Sequence, residues 1–165
     1  MADRGAAVRV RRCGPEDVIC LRQAVLRPHM TTDEARYPTD GSPDTAHFCA
    51  EDADGRVISV VTLLKEAPPW QPGTPNAWHL RGMATEPEWR GGGAGSALLA
   101  ATLAFVAGSG GGLLWCNARL GAVSFYKRAG LNTTGDPWEE PVIGPHIAMF
   151  VNIKAGGTPF VAAGE

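Results

Sequence analysis

The stretch EWRGGGAGSALLAATLAF, residues Glu88–Phe105, places four glycines directly before an almost uninterrupted apolar segment. Glycine gives no side chain to pack and loses more conformational freedom on folding than any other residue. The apolar segment predicts a buried helix, and glycines at its start leave the first main-chain amides of that helix uncovered. A helix start of this kind, with its positive dipole end, binds phosphates through the main chain. The stretch therefore predicts an anion-binding loop that opens a core helix.

Two common phosphate-binding motifs do not match these glycines. A Walker-type loop needs lysine and then serine or threonine after its last glycine, whereas Gly95 is followed by Ser96 and Ala97. A dinucleotide-binding fingerprint needs glycine or alanine at the position that Ser96 holds, counted from Gly91 and Gly93. The sequence lacks the lysine that the Walker-type loop needs for its phosphate and the third small residue that the dinucleotide fingerprint needs for helix–strand packing, so it favours neither class.

The arginine before the glycines fits a third pattern. Arg90, Gly93 and Gly95 match Arg/Gln-x-x-Gly-x-Gly/Ala between a strand and a helix. The surrounding segment RGMATEPEWRGGGAGSALL resembles motif A of the GNAT superfamily of acyl-CoA-dependent N-acyltransferases. Without the resemblance, a glycine cluster is equally compatible with a loop that binds nothing. The resemblance implies that the diphosphate of coenzyme A is bound by Arg90, Gly91, Gly92, Gly93, Ala94, Gly95 and Ser96.

A second segment, LLWCNARLGAVSFYKRAGL, resembles motif B of the same superfamily, with a strand that ends at Asn117 and a helix after it. The resemblance implies that this strand splays from the preceding one and that the pantetheine arm lies in the opening. It also implies cofactor contacts from Asn117 on one side and from Met83, Ala84 and Thr85 on the other. Tyr126 on the helix is implied as the acid that protonates the departing thiolate. The alternative is a tyrosine that packs on the inner face of its helix.

The attacking amine must lose a proton, and His79 lies where some relatives carry a glutamate base. An imidazole with a pKa near ~6.5 can accept a proton at neutral pH, directly or through water. The alternatives are a histidine satisfied by a neighbour within its strand and a competing base at Glu86 or Glu88 on the next loop. Cys116 is a competing acyl-carrying nucleophile, disfavoured because a central strand buries it without an evident base.

Several short segments resemble a narrower bacterial branch of the superfamily: LRQAVLR, HF, LRGMAT and GPHIAMF. This resemblance implies a shared polar site for the acceptor amine, formed by Arg22, His47, Arg81 and His146. Each of these residues alone is also compatible with a surface or capping role. Tryptophans are further candidates for an acceptor pocket, although most are expected in the core: Trp70, Trp78, Trp89, Trp115 and Trp138.

Apolar periodicity and turn residues predict the elements around these motifs. A strand over Val8–Cys13 precedes a helix that Pro15 opens, and a hairpin turns at Asp54–Gly55 before the strand Ala77–Thr85. A long Pro- and Thr-rich loop spans Pro28–Thr45, and strands alternate with helices in the later part of the chain. The expected architecture is a GNAT fold of the α/β (α+β) class. It has a mixed central sheet of about six to seven strands, splayed in the middle and flanked by about four helices.

The composition limits the function classes. With 44% hydrophobic and 19% charged residues, the 165-residue chain resembles a soluble globular protein, expected to form a single domain over residues 1–165 with a loosely held tail at 155–165. Its net charge of −2 argues against general binding to nucleic acid or acidic membranes. No stretch reaches the ~20 apolar residues of a membrane span and no signal peptide is evident, so a cytoplasmic location is predicted. The four cysteines and four histidines lack metal-binding spacing, which predicts reduced thiols and no metal.

Taken together, the motifs predict an N-acetyltransferase that moves the acetyl group of acetyl-CoA to an amine in a ternary complex. The acceptor is expected to be a small amine or a protein amine. Two other function classes stay open at this point: a CoA-binding sensor and a protein-interaction module with the same fold but no acceptor chemistry. The apolar helix and the exposed late strands are compatible with a homodimer.

Overall fold

In the computed structural model, which describes residues 8–156, seven strands and three α-helices follow one another along the chain. Single 3-10 turns lie at Pro87–Trp89 and Leu120–Ala122, and most of the predicted tail, residues 157–165, lies outside the described part. The elements are β1 (Arg9–Cys13), α1 (Pro15–Leu26), β2 (Thr45–Glu51), β3 (Val57–Lys65), β4 (Ala77–Thr85), α2 (Ala94–Gly108), β5 (Gly112–Arg119), α3 (Val123–Arg128), β6 (Asn132–Glu140) and β7 (Gly144–Ile153).

The strands form one mixed sheet in the order β1-β2-β3-β4-β5-β7-β6. Neighbouring strands from β1 to β4 are antiparallel, and β5, β7 and β6 form a second antiparallel group. The two groups meet where β4 and β5 run parallel. The predicted mixed sheet of six to seven strands is therefore confirmed.

The joint between the two groups is short. Only Ala77–His79 pair with Leu113–Trp115, although β4 has nine residues and β5 has eight. Beyond these pairs the carboxyl-terminal parts of β4 and β5 separate, which is the splay that the sequence predicted. Gly112 stands at the closed end of the joint, because a Cβ there would lie 1.9 Å from the carbonyl oxygen of Asn76.

A β-bulge interrupts β4 beside the splay. Val60 of β3 pairs with Ala84 and Thr62 pairs with Arg81, so two residues of β4, at positions 82 and 83, lie opposite one residue of β3. Gly82 has φ of 65°, a backbone conformation that side-chain-bearing residues rarely adopt. A bulge leaves main-chain groups outside the regular ladder, so β4 can offer an amide to a ligand here.

Helices cover both faces of the sheet. The α2 helix contacts β3, β2, β4 and β5, and its buried side chains include Leu98 and Leu99. On the opposite face α1 places Val18 against Cys49, Val60 and Ala84. We call these two sides of the sheet the α2 face and the α1 face. The α2 helix buries one side against the sheet, whereas Ser96, Ala100 and Gly108 on its outer side are exposed.

The expectation of about four helices is wrong by one, since residues 8–156 contain three α-helices. The long segment between α1 and β2 forms turns, in agreement with the loop predicted over Pro28–Thr45. Its prolines, Pro28, Pro38 and Pro43, remove main-chain donors and fix φ at short intervals, which prevents a continuous helical turn. Within residues 8–156, no helix has the length and apolar character required to cross a membrane.

Candidate active site

A cleft of about 310 Å³ opens where β4 and β5 separate. Its walls include Leu80 and Cys116, which belong to the core on the α2 face. Side chains alternate along a strand, so the neighbouring lining residues Arg81 and Asn117 lie on the α1 face. Because residues of both faces line it, the cleft passes through the sheet from one side to the other.

The glycine loop stands beside the cleft on the α2 face. Gly93 is the N-cap of α2 and has φ of 91°, a left-handed conformation suited to glycine. A Cβ at Gly95 would lie 3.4 Å from Thr85 Oγ1 and 3.6 Å from Phe125, and Phe125 also lines the cleft. The close contact between the loop, the end of β4 and α3 joins the loop to the cleft in one continuous surface.

The loop presents free main-chain donors. Among residues 8–156, the amides of Gly93, Ala94, Gly95 and Ser96 have no backbone acceptor, whereas Ala97 N–H donates to the carbonyl of Gly93 at 2.9 Å. Helices leave their first amides without internal partners. Residues Gly91–Gly93 are solvent-exposed, as is Arg90 just before them. These uncovered donors, together with the dipole of a 15-residue helix, form an anion-binding surface.

A second cavity of about 230 Å³ lies between α2 and α3 next to this loop. Ser96 belongs to both the loop and the cavity wall, and Arg128 contributes a cation to the same wall. The remaining wall is apolar, with Leu99, Leu103 and Phe125. The phosphate-binding surface thus continues into a groove with apolar sides and one positive charge.

Tyr126 lies on the α2 face and lines the cleft with only 7% of its surface exposed. Within the described residues no group forms a hydrogen bond with its hydroxyl. Burial raises the pKa of the phenol, and the nearby Cys116 raises the pKa of Tyr126 further. The hydroxyl is therefore protonated at neutral pH and free to donate to a ligand in the cleft.

His79 lies on β4 and lines the cleft from the α1 face. Its Nδ1 lies 2.8 Å from Glu66 Oε2, and its ring stacks on Trp115 with centroids 3.8 Å apart. The carboxylate can only accept, so Nδ1–H donates and Nε2 carries the lone pair. The indole of Trp115 in turn donates to the main-chain carbonyl of Glu66 at 2.8 Å. Glu66 and Trp115 thus fix one tautomer and one orientation of the imidazole.

Burial lowers the pKa of His79 to about 4, despite the opposing effect of its bond to Glu66. The Arg81 charge lowers the pKa of His79 as well. Although His79 and Glu66 are close enough for an ion pair, the lowered pKa of His79 means that at neutral pH the neutral ring donates a hydrogen bond to the Glu66 carboxylate. Neutral imidazole is the form that accepts a proton.

Arg22 and His47, two of the four predicted acceptor-site residues, are buried in a hydrogen-bonded cluster. Arg22 pairs with Asp40 at 2.7 Å and donates to Thr62 Oγ1 at 2.8 Å. His47 lies 2.9 Å from Thr62 Oγ1 through Nδ1 and donates from Nε2 to the carbonyl of Asp40 at 2.9 Å. Neither residue lines the cleft, so the cluster supports its wall from behind.

Arg81 and His146, the other two predicted acceptor-site residues, line the cleft. The guanidinium of Arg81 lies 3.5 Å from the ring centroid of Tyr37, and that of Arg22 lies 3.8 Å from the same centroid. His146 stacks against Trp138, another lining residue. Tyr37 therefore connects the buried Arg22 cluster to the cleft, while His146 enters from the far side on β7.

The surroundings of the competing bases, Glu86 and Glu88, and of the competing nucleophile, Cys116, do not favour those roles. Glu86 forms an ion pair with Arg56, and Glu88 is exposed in the 3-10 turn after β4; neither lines the cleft. Cys116 lines the cleft, but burial raises the pKa of its thiol to about 12. A thiol with that pKa is protonated at neutral pH and is a poor nucleophile.

The tryptophans differ in their burial and in whether they line the cleft. Trp138 lines the cleft, whereas Trp70 is 41% exposed and packs edge-on against Trp115. Trp78 and Trp89 belong to the core on the α2 face. Trp138 is thus the tryptophan in contact with the space available to an acceptor.

Several lining or supporting residues were not singled out from the sequence. Glu66 precedes a proline-rich loop and Tyr37 lies within the long loop after α1, so neither has a motif that marks it. Arg119 lies inside the motif B segment, two residues after Asn117, and that position was its one available signal. The lining or supporting residues that the sequence did not single out include Arg27, Tyr37, Glu66, Arg119 and Glu140.

Comparison with known proteins gives a consistent result. Residues 17–131 match the acetyltransferase (GNAT) family. The Bacillus subtilis (strain 168) protein named uncharacterized N-acetyltransferase YitI is 32% identical over 145 residues, covering 88% of this chain and 96% of that protein.

Solved structures share the fold at lower identity. The ribosomal-protein-S18-alanine N-acetyltransferase from Escherichia coli superposes with a TM-score of 0.72 at 15% identity, covering 91% of this chain and 96% of that one. A GCN5-related N-acetyltransferase from Kribbella flavida gives 0.70 at 20% identity, covering 89% of this chain and 98% of that one. At these identities the likeness concerns the fold.

Proposed function

The chain belongs to the GNAT family of acetyltransferases and is an N-acetyltransferase, and we propose that its cleft holds acetyl-CoA and an amine together for direct acetyl transfer. The observation that carries this proposal is the placement of His79 and Tyr126 in one cleft, on opposite faces of the sheet. A base on one side and an acid on the other are what a direct transfer between two bound substrates needs. The splayed strands provide the space in which the two substrates meet.

The glycine loop fits the diphosphate of coenzyme A. Its uncovered amides can donate to phosphate oxygens, and the absence of Cβ atoms at Gly91 and Gly93 leaves the approach open. Arg90 follows the 3-10 turn and adds a positive charge at the rim. The groove beyond Ser96, with Arg128 on its wall, would hold the nucleotide part of the cofactor.

The pantetheine arm is assigned to the gap between β4 and β5. Past His79, the edge of β4 that faces β5 has no strand partner in the described sheet. Main-chain groups at Met83, Ala84 and Thr85 can therefore pair with amides of the arm, as an added strand would. Asn117 is exposed on the β5 side and provides an amide side chain to the same gap.

When bound, acetyl-CoA supplies the thioester whose carbonyl carbon the amine nitrogen attacks as the C–S bond breaks. The bulge in β4 leaves main-chain groups near Met83 outside the regular ladder, and an amide there would donate to the carbonyl oxygen as negative charge develops. His79 Nε2 takes the proton that the amine loses. Tyr126 donates its proton to the sulfur that leaves. Most of the rate is expected from holding both reactants in the cleft at reacting distance.

Assay of a panel of amines with acetyl-CoA, by thiol release and by mass spectrometry of the products, tests this function. We expect at least one amine to gain the mass of an acetyl group in step with thiol release. Calorimetry with acetyl-CoA alone separates the alternatives. Cofactor binding without turnover of any amine would identify a CoA-binding sensor, and absence of cofactor binding would identify an interaction module.

A further inference from the structure

The α1-face side of the cleft carries three guanidinium groups without a carboxylate partner. Arg27, Arg81 and Arg119 all line the cleft, and within residues 8–156 none of them forms an ion pair. Arg81 is held against the ring of Tyr37. Arg27 and Arg119 each donate to the main-chain carbonyl of Leu26, at 2.9 and 3.1 Å. These contacts position the arginines but leave their charges uncompensated.

The carboxylates nearby are already engaged. Glu140 is the acidic residue among those that line the cleft, and one of its oxygens accepts from the indole of Trp138 at 3.0 Å. Asp40 pairs with the buried Arg22 behind the wall. His79 is uncharged at neutral pH, since burial lowers its pKa to about 4. The charges on the cleft walls therefore sum to a positive value, although the whole chain has a net charge of −2.

The arginines also disfavour one another in the free protein. Burial lowers the pKa of Arg119, and the charges of Arg27 and Arg90 lower the pKa of Arg119 further. An anion placed among these groups relieves both effects, because it replaces lost water and opposes the repulsion. The cleft is thus arranged to gain from a negatively charged ligand.

The side chains of Arg81 and Arg119 lie on the α1 face of the sheet, although Arg119 is close enough to Arg90 of the glycine loop for the two charges to repel each other. Arg81 and Arg119 alternate with the core residues Leu80 and Ala118, which face α2. The glycine loop, α3 and Tyr126 are on that α2 side. Phosphates of the cofactor have the loop as a binding surface, which leaves Arg81, held on the α1 face by Tyr37, and the inner part of the cleft beside Arg119 available to another anion.

We propose that the acceptor is a small amine that carries a carboxylate, which the guanidinium groups of Arg81 and Arg119 bind while its amine lies at His79. This inference rests on the proposed acetyl transfer and adds the chemical class of the acceptor. Arginine suits the role because its planar donors match a carboxylate in pairs. A volume of about 310 Å³, shared with the end of the cofactor, admits a small molecule of this kind.

Amino acids and their carboxamides provide the test, since each pair differs only in the anionic group. The rates of acetylation are compared as kcat/KM per free amine, which corrects for the lower basicity of the amide. We expect the acid to exceed its amide by roughly 10- to 100-fold, as charge-assisted hydrogen bonds contribute in proteins. Equal values for acid and amide across the panel would overturn the inference and leave acetyl transfer intact.

Arginine variants assign the effect to the cleft. Arg81→Gln and Arg119→Gln are each expected to raise KM for the carboxylate acceptor by roughly 10-fold or more, with the KM for acetyl-CoA and for the carboxamide little changed. Arg9→Gln on the exposed edge strand β1 makes the same charge change far from the cleft and serves as the control. A rise in KM for acetyl-CoA instead would mean that these arginines bind cofactor phosphates, which contradicts the inference.

Binding without turnover provides an independent measurement. N-acetylated amino acids and N-acetylated amino amides are titrated into the CoA-bound protein by calorimetry, with melting temperatures recorded to show that each variant is folded. Tighter binding of the acids, lost in Arg119→Gln, supports the carboxylate site. Equal binding of acids and amides overturns it. Failure of every amine to react, with the acid preference in binding intact, would count against acetyl transfer but not against the anion site.

Discussion

The hydroxyl of Tyr126 combines burial with the absence of a hydrogen-bond partner among the described residues, an arrangement that favours a role toward a ligand. We expect Tyr126→Phe to lower kcat by roughly 100- to 10,000-fold, because the departing thiolate loses its proton donor. The phenyl ring keeps the packing against Phe125, so the affinity for acetyl-CoA should change little. Steady-state kinetics and calorimetry measure the two quantities. An unchanged kcat would assign the proton to another donor.

His79 makes a separate prediction on stability, because its pKa is lowered to about 4 in the folded protein from an ordinary value of 6.5. Between these values the unfolded chain binds the proton more tightly, so the free energy of unfolding rises with pH across this window and falls as the pH drops through it. We expect urea denaturation to give about 2 kcal/mol less stability from this residue at pH 5 than at pH 7. His79→Gln should remove that part of the difference, whereas His29→Gln, at an exposed histidine, should retain it.

Individual residues also show which side-chain contacts could not be predicted from the sequence. Position within or beside a motif was sufficient to predict that His79, Tyr126 and Asn117 lie in one cleft. It gave no indication that Glu66 bonds His79 or that Tyr37 contacts Arg81. Glu66 is brought to His79 by the pairing of β3 with β4, and Tyr37 reaches Arg81 from a loop without periodicity. Side-chain partners distant along the chain depend on tertiary contacts, which local patterns do not contain.

The glycine loop and the helix after it act together. In the free protein a substitution at Gly93 meets no neighbouring atom, but the backbone there has φ of 91°. We expect Gly93→Asp to raise the Kd for acetyl-CoA by roughly 100-fold, because a carboxylate would stand at the site of a phosphate. Gly93→Ala separates the strain of the backbone from the effect of charge.

A matched control for this loop is Gly73→Asp. Gly73 also has a positive φ, 81°, and a Cβ there would meet no atom within 4 Å, but it lies in the loop before β4. Calorimetry with acetyl-CoA should give the wild-type Kd for this variant. Equal weakening by both substitutions would show that the loss reflects altered stability or net charge and not the phosphate site.

Among the elements, those with strong periodicity or clear turn residues were predicted well. The hairpin that turns at Asp54–Gly55 is β2 and β3, and the strand predicted over Ala77–Thr85 is β4 with the same bounds. The helix predicted after Asn117 begins later, since a 3-10 turn at Leu120–Ala122 precedes α3. The bulge in β4 was not predicted, because it arises from the register between β3 and β4 and leaves no mark beyond one glycine.

The whole protein should gain stability from its cofactor. At a concentration of 100 times Kd, a ligand that binds only the folded state adds about 2.7 kcal/mol. For a chain of this size we therefore expect acetyl-CoA to raise the melting temperature by roughly 5–10 °C. Differential scanning calorimetry measures the shift, and pantetheine, which lacks the diphosphate, should give a much smaller one. No shift at saturating acetyl-CoA would contradict the assignment of the cleft.

The short joint between β4 and β5, with three residue pairs, has a consequence for the purified protein. It leaves two inner strand edges whose amides and carbonyls are satisfied by water until an extended molecule lies between them. Unpaired edges of this kind are where chains associate with one another and aggregate. We expect a coenzyme that completes the ladder to shield these edges as well, so the purified protein should stay monodisperse longer in storage with acetyl-CoA than without it.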